Sequence, residues 1–269
     1  MSYEEIYKSK LMTADEAVAA HIKSGDKIWL GGLSVADKVL SCVIEKVKQG
    51  ALENIDFYGN MTMDDIGLAD KDIPADKFRY HAFFYGGYER EGCKNGVVTN
   101  VPLHLSRFED YVSYIDPDVA VVPMTPPNEQ GFCNIGPAGY SPSGLNHAKK
   151  IIAQINKNIP RVYGSSHDYH VNDIAAFVEC HKDELMPSSQ PPTATEEKIA
   201  SYILERIPDG ACIQLGIGGT ANAVGFGLKD KKHLGIHSEM YTDSMAYLQS
   251  IGVVDNSRKT FMPGLSVAG

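Results

Sequence analysis

Residues 118–124 read DVAVVPM, and from Val119 onward the run carries no charge and no polar alternation. A strand with one wet face alternates apolar and polar residues. An unbroken run predicts a strand covered on both faces, the condition of a parallel sheet between helices. Parallel neighbours need helical crossovers, so the chain is expected to be α/β. The first residues supply such a unit. Residues 13–24 have the spacing of a helix, with Thr13 as cap, Glu16 three residues on, and an apolar stripe of Ala17, Val18 and Ile22. Ser24-Gly25-Asp26 stops it. Residues 27–30 are a short apolar strand, Gly31-Gly32 follows at once, and residues 37–49 return to helical spacing through Val39, Leu40, Val43, Ile44 and Val47. Strand, glycine turn and helix open a βαβ unit. Residues 151–155 (IIAQI) read as another buried strand, and residues 173–179 (DIAAFVE) as a strand or short helix. Between them and the first apolar run, residues 125–144 form a proline-rich loop with Gly131, Gly136 and Gly139.

Residues 186–195 (MPSSQPPTAT) have no apolar period and read as a linker. Beyond it the order restarts: helix 196–206, turn Pro208-Asp209-Gly210, strand 211–215, glycine loop 216–219, helix 220–228, strand 234–238. Two doubly wound α/β domains are therefore expected, at 1–189 and 190–269. Two clear strands are too few to cover a parallel sheet on both faces, so the second domain is expected to be incomplete.

A formal net charge of -9 argues against nucleic acid as a partner, since phosphate backbones are bound by Lys and Arg. It leaves an anionic ligand open, because a local patch or main-chain N–H groups can hold one. The five cysteines (Cys42, Cys93, Cys133, Cys180, Cys212) form no CxxC pair and read as reduced thiols, neither a disulfide framework nor a zinc site. Met1 to Lys10 has no apolar core of a signal peptide, and no stretch is apolar enough to span a membrane. A cytoplasmic location without a membrane partner is the expectation.

The chemistry-bearing constellation is Gln214-Leu215-Gly216-Ile217-Gly218-Gly219 between a strand and a helix, followed after the next strand by His237-Ser238-Glu239-Met240. Glycines let the backbone turn sharply and let a ligand approach main-chain N–H groups. The following helix adds unpaired N–H groups with partial positive charge, suited to a phosphate or a developing oxyanion. Loops after neighbouring parallel strands leave the sheet on one edge, which brings Glu239 beside the glycine loop. Two other readings stand at this point. Glu239 and the glycines also fit an ordinary solvated loop and turn. Gly216-Ile217-Gly218-Gly219-Thr220-Ala221 with Glu239 downstream also satisfies the GxGxxG/A pattern of a dinucleotide fold, hence an NAD-binding domain.

Elsewhere, His167 and His170 (HDYH) have the types of metal ligands but no third ligand at a matching spacing, so no metal site is expected. Cys133 reads as a packed thiol, the aromatic run 83–88 (FFYGGY) as core or subunit interface, and Asp64 and Asp65 as solvated loop charges.

QLGIGGTANAV followed by GIHSEMYTD strongly resembles the family I CoA-transferases, in particular the group of 4-hydroxybutyrate and butyrate:acetate CoA-transferases and acetyl-CoA hydrolases. SGDKIWLGGL, DVAVVPMTPPNEQGFCNIGP and AKKIIAQINKNIPRVYGSSHDYHVNDI resemble first-domain segments of the same enzymes, in the same order. The resemblance implies Glu239 as catalytic nucleophile. It implies Gln214, Leu215, Gly216, Ile217 and Gly218 as the loop that touches the CoA thioester, with Gly219 beside them. It implies CoA and acyl-CoA as substrates with small carboxylic acids as partners, no permanently bound cofactor, and a homo-oligomer of two or four chains. Family members run on past the position of residue 269, with further strands and a second glycine loop. The expected activity is transfer of CoA between a short-chain acyl-CoA and a free carboxylate such as acetate. Acyl-CoA hydrolysis and a non-catalytic fragment are the alternatives.

Overall fold

A computed structural model of the chain describes residues 2–137, 141–184 and 191–268. The chain divides into two compact units, Met1–Leu185 and Met186–Gly269.

The first unit opens with α1 (Tyr3–Ser9) and α2 (Ala14–His21), each begun by a reciprocal capping box, Ser2 with Glu5 and Thr13 with Glu16. The chain continues through β1 (Lys27–Leu33), α3 (Asp37–Lys48), β2 (Ile55–Thr62), β3 (Phe78–Ala82), α4 (Gly87–Lys94), β4 (Val98–Asn100), α5 (Phe108–Ile115), β5 (Val119–Met124), β6 (Phe132–Asn134), α6 (Ser141–His147), β7 (Lys150–Ile155), β8 (Asp168–His170) and β9 (Ala176–Glu179). Seven strands form one sheet in the order β4-β3-β2-β1-β5-β7-β9, all parallel. β6 and β8 make a separate antiparallel ribbon.

The side-chain period of two explains the double cover. Ile28 and Leu30 of β1 and Val119 and Val121 of β5 enter a core with α2 and α3. Trp29, Ala120, Val122 and Met124 point the other way, into a core with Phe108, Val112 and Leu145 of α5 and α6. Every residue of β5 is buried, as its unbroken apolar run requires. Residues 173–179 resolve in favour of a strand, β9.

Three local expectations are corrected. β1 does not turn at Gly31-Gly32 but runs on to Leu33. The glycines are needed there for space: a Cβ on Gly31 would collide with Ser141 Oγ, and one on Gly32 would meet Asn60 Cβ at 2.7 Å. Residues 125–144 hold a strand, β6, and the start of α6. Asp64 is not a solvated charge. It is 6 % exposed, accepts the Val35 N–H at 2.9 Å, and pairs with Lys182, which also reaches Asp37 at 2.9 Å. Asp65 does stay exposed and caps the turn at Gly67.

The second unit comprises α7 (Ala194–Leu204), β10 (Cys212–Ile213), α8 (Gly219–Gly227), β11 (Gly235–Ser238), α9 (Asp243–Ser250) and β12 (Val267–Ala268). Part of the linker, at 185–190, lies outside the described residues. α7 starts two residues before the expected 196, because Thr193 and Glu196 form a capping box. The three strands pair in parallel, β10-β11-β12, over one core in which Ala200, Val224, Leu228, Met245 and Leu248 cover Ile213 and Ile236.

Candidate functional site

The glycine loop and Glu239 are brought together by strand register. Cys212 pairs with Gly235 and Ile213 with Ile236. Beyond the ladder, the Ser238 hydroxyl donates to the Leu215 carbonyl at 3.3 Å. Gly216 and Glu239 follow those two residues directly, so they leave the sheet side by side on its C-terminal edge. Leu215 and Ser238 are buried at 8 % and 6 % exposure, and hold the loop and the end of β11 to the core. Gln214, Gly216, Ile217, Gly218 and Glu239 are exposed.

Gly218 takes φ 134° and ψ 164°, a conformation open essentially to glycine alone, and it turns the chain into α8. Gly219, the first residue of α8, has a different reason. A Cβ there would overlap the Glu196 carboxylate, which lies against the start of the helix. The Thr193 N–H and hydroxyl donate to Glu196 at 2.7 and 2.8 Å and hold its carboxyl below the usual range. Glu196 was not singled out from the sequence. The T-x-x-E spacing at 193–196 was its available signal. A cleft of about 680 Å³ is lined by Glu196, Cys212, Gln214 through Ala221, Val224 and Leu228, among others. It contains all five loop residues expected to touch a thioester, and Glu239 stands beside the loop without lining the cleft.

This arrangement supplies main-chain N–H groups at a glycine turn and helix start, and a carboxylate on the adjacent strand end. Groups of these kinds can together support attack by a carboxylate on a carbonyl whose oxygen becomes negative near main-chain donors.

The other candidate residues are used structurally. His170 packs edge-on against Tyr3 and Phe132 and accepts the Asn172 N–H, while His167 contacts Ser166 Oγ. Asp168, between them, accepts from Arg161 at 2.7 Å and from Asn134 at 2.8 Å. Among the described residues no group of three potential ligands is placed to hold a metal. Burial pushes the Cys133 thiol up to about 12, against a smaller opposing effect of Arg161, so it is no thiolate nucleophile. Phe83 packs on Trp29, Phe108 and Tyr111 in the core, whereas Phe84 is exposed. No described helix is long and apolar enough to cross a membrane.

A parallel sheet with a glycine loop and a carboxylate on its C-terminal edge defines an α/β protein with a ligand-binding edge of the usual kind. Known proteins narrow it. The acetyl-CoA hydrolase/transferase N-terminal domain matches residues 1–188, and the chain belongs to that family. It is 36 % identical to a butyryl-CoA:acetate CoA-transferase of Anaerostipes caccae, over 96 % of this chain and 59 % of the relative. It is 35 % identical to a 4-hydroxybutyrate coenzyme A transferase of Clostridium kluyveri, over 98 % and 61 %. Among solved structures, RipA from Yersinia pestis superposes with a TM-score of 0.92 at 26 % identity, over all of this chain and 65 % of RipA. A 4-hydroxybutyrate CoA-transferase from Porphyromonas gingivalis gives 0.79 at 25 % identity, over 99 % and 63 %. The chain thus spans about three-fifths of the length of the curated relatives it matches.

Proposed function

We propose that the protein acts as a CoA-transferase on short-chain acyl-CoA, with Glu239 as nucleophile. The observation that carries the reading is the Ser238–Leu215 hydrogen bond, which keeps Glu239 level with Gly216. The names of the relatives, transferases of butyryl and 4-hydroxybutyryl groups, support transfer over hydrolysis. In this scheme the ionised Glu239 carboxylate attacks the acyl-CoA carbonyl and expels CoA thiolate, leaving an acyl-glutamyl anhydride. The thiolate attacks the glutamyl carbonyl, releases the acyl group as a free acid, and forms a glutamyl-CoA thioester. A second carboxylate, such as acetate, reverses these steps and leaves as the new acyl-CoA. Each addition generates an oxyanion, for which N–H groups of residues 216–218 are the donors. One such donor is worth about 3 kcal/mol of barrier.

The same reading assigns CoA as a substrate with no permanently bound cofactor, domains at 1–189 and 190–269, a cytoplasmic homo-oligomer, and no nucleic-acid or membrane partner. It sets aside the dinucleotide alternative because the GxGxxA match lies within a longer match to CoA-transferases, over 96 % and 98 % of the chain, that already accounts for Glu239.

The test traps the thioester. Protein of the relatives' full length is incubated with butyryl-CoA and reduced with borohydride, which converts the glutamyl thioester to an alcohol. Peptide mass spectrometry is expected to find the change on the peptide containing Glu239. A modified peptide without Glu239, or none, overturns the assignment.

A further inference from the structure

One buried charge in the second unit has no part in the chemistry above. Lys259 is 7 % exposed, and its ammonium donates to two main-chain carbonyls, Ile236 at 2.7 Å and Leu265 at 2.6 Å. Both acceptors are neutral. A charge buried on dipoles alone is costly, and an apolar side chain of similar length would fill the space without that cost. The fold nonetheless makes room for it: a Cβ on Gly235, the first residue of β11, would stand 2.5 Å from Lys259 Cγ.

Asn256 completes a bracket around the same residue. It is 3 % exposed, with φ 58°; its Oδ1 accepts the Ile236 N–H at 2.9 Å, and its Nδ2 donates to Ser266 Oγ at 3.1 Å. In a parallel sheet the main-chain groups of alternate residues face alternate neighbours. Gly235 donates to Ala211 on the β10 side, which turns Ile236 to the side of β12. There β12 has not yet begun: pairing starts one residue later, His237 with Val267 and Ser238 with Ala268. Both polar groups of Ile236 are therefore met by side chains in place of a strand. The same side chains hold Leu265 and Ser266, the two residues that lead into β12.

We propose that Lys259, together with Asn256, is a positioning residue for Glu239. The pair stands in for the strand residue that β12 lacks opposite Ile236. It fixes the register of β11 against β12, and so the point at which Glu239 leaves the sheet. The ammonium suits this task because it carries three donors and makes shorter, stronger bonds to carbonyls than a neutral donor does. The proposal rests on the reading of Glu239 as nucleophile.

The test combines two measurements on the full chain. Lys259→Met keeps the stem and removes the donors; Lys259→Arg keeps charge and donors. Hydrogen exchange of the Ile236 and Ser238 amides is expected to quicken about tenfold or more in Lys259→Met, with β1 and β5 unchanged and Lys259→Arg closer to wild type. In the transfer assay, kcat is expected to fall about a hundredfold with KM for acyl-CoA little changed. Unchanged exchange at Ile236 and Ser238 overturns the bracket whatever the activity. Faster exchange with wild-type kcat overturns the positioning role. Should Lys259→Met not fold, Ser266→Ala removes the hydroxyl that accepts from Asn256 and donates to Gln249, and Ile236 exchange is again expected to rise; no rise overturns the proposal. Borohydride trapping in the wild type decides the role of Glu239 separately, so either reading can fail alone.

Discussion

In the first unit every residue of β5 is buried, whereas in the second β10 leaves Cys212 exposed and β11 leaves His237 exposed. The seven-stranded sheet has a core on each face, and the three-stranded sheet has a single core against α7, α8 and α9. Large apolar side chains remain exposed in the second unit, among them Ile217 at 81 %, Phe261 at 57 % and Leu265 at 55 %. Yet the glycine loop and the glutamate are in the second unit. On the proposed assignment, the difference teaches that enclosure and chemistry are separable. Polar groups at the sheet edge of the first unit, such as Asp37, Asp64 and Lys182, are consumed by pairing with one another. In the second unit Glu239 and the glycine turn lie exposed at the sheet edge.

The comparison is broken most directly at Glu239. Glu239→Gln keeps the shape and removes the proposed nucleophile, and transfer is expected to fall by about three orders of magnitude or more in a steady-state assay. If a change at the first unit's edge, such as Asp64→Asn, had an equal effect on kcat without loss of stability, the chemistry would not belong to the second unit alone.

Core truncations sharpen the contrast in enclosure. Ile152→Ala, on β7 of the doubly covered sheet, is expected to cost about 3–4 kcal/mol in urea unfolding. Val224→Ala, on α8 over the singly covered sheet, loses fewer atoms at 5 % exposure and is expected to cost about 1–2 kcal/mol. Equal costs would mean that the second unit is as tightly enclosed as the first.

Asp64→Ala strips the half-buried Lys182 of one partner and Val35 of its acceptor, with an expected loss of about 2 kcal/mol from the first unit. Thr193→Ala removes the cap of α7 and is expected to cost the second unit about 1 kcal/mol by thermal unfolding.

The smallest effect is a difference in labelling. Cys212 and Cys93 are exposed and are expected to react with iodoacetamide in the native protein at pH 8. Cys133 is fully buried, and its thiol is raised to about 12, so moving from pH 8 to pH 9 creates almost no thiolate. It is expected to stay unlabelled until the first unit unfolds, as read by peptide mass spectrometry.

Much of this was legible in the chain wherever the signal is short-range. The unbroken run at 119–124 can only be a strand with two covered faces. Thr13 and Glu16 mark a helix start through a bond made within one turn, and the same spacing at Thr193 and Glu196 marks another. The glycine loop and Glu239 stand out because the quoted motifs carry the family resemblance; their spacing alone left an ordinary turn and a dinucleotide loop open. Nothing in residues 51–117 announced β2, β3 and β4, since Ile55–Thr62 mixes Asp56, Tyr58, Gly59 and Asn60 into its strand.

What only the tertiary structure decided is where polar residues end up. Asp64 and Lys182 are 118 positions apart, and neither carries a local sign that it will be buried against the other. Lys259 reads as one more surface charge in SRKT, until the fold brings the Ile236 and Leu265 carbonyls to its ammonium. Helix caps, periodicity and turns arise from bonds between near neighbours, so they are written in consecutive residues. The burial of a charge depends on partners supplied by distant segments, and those partners exist only once the chain has folded.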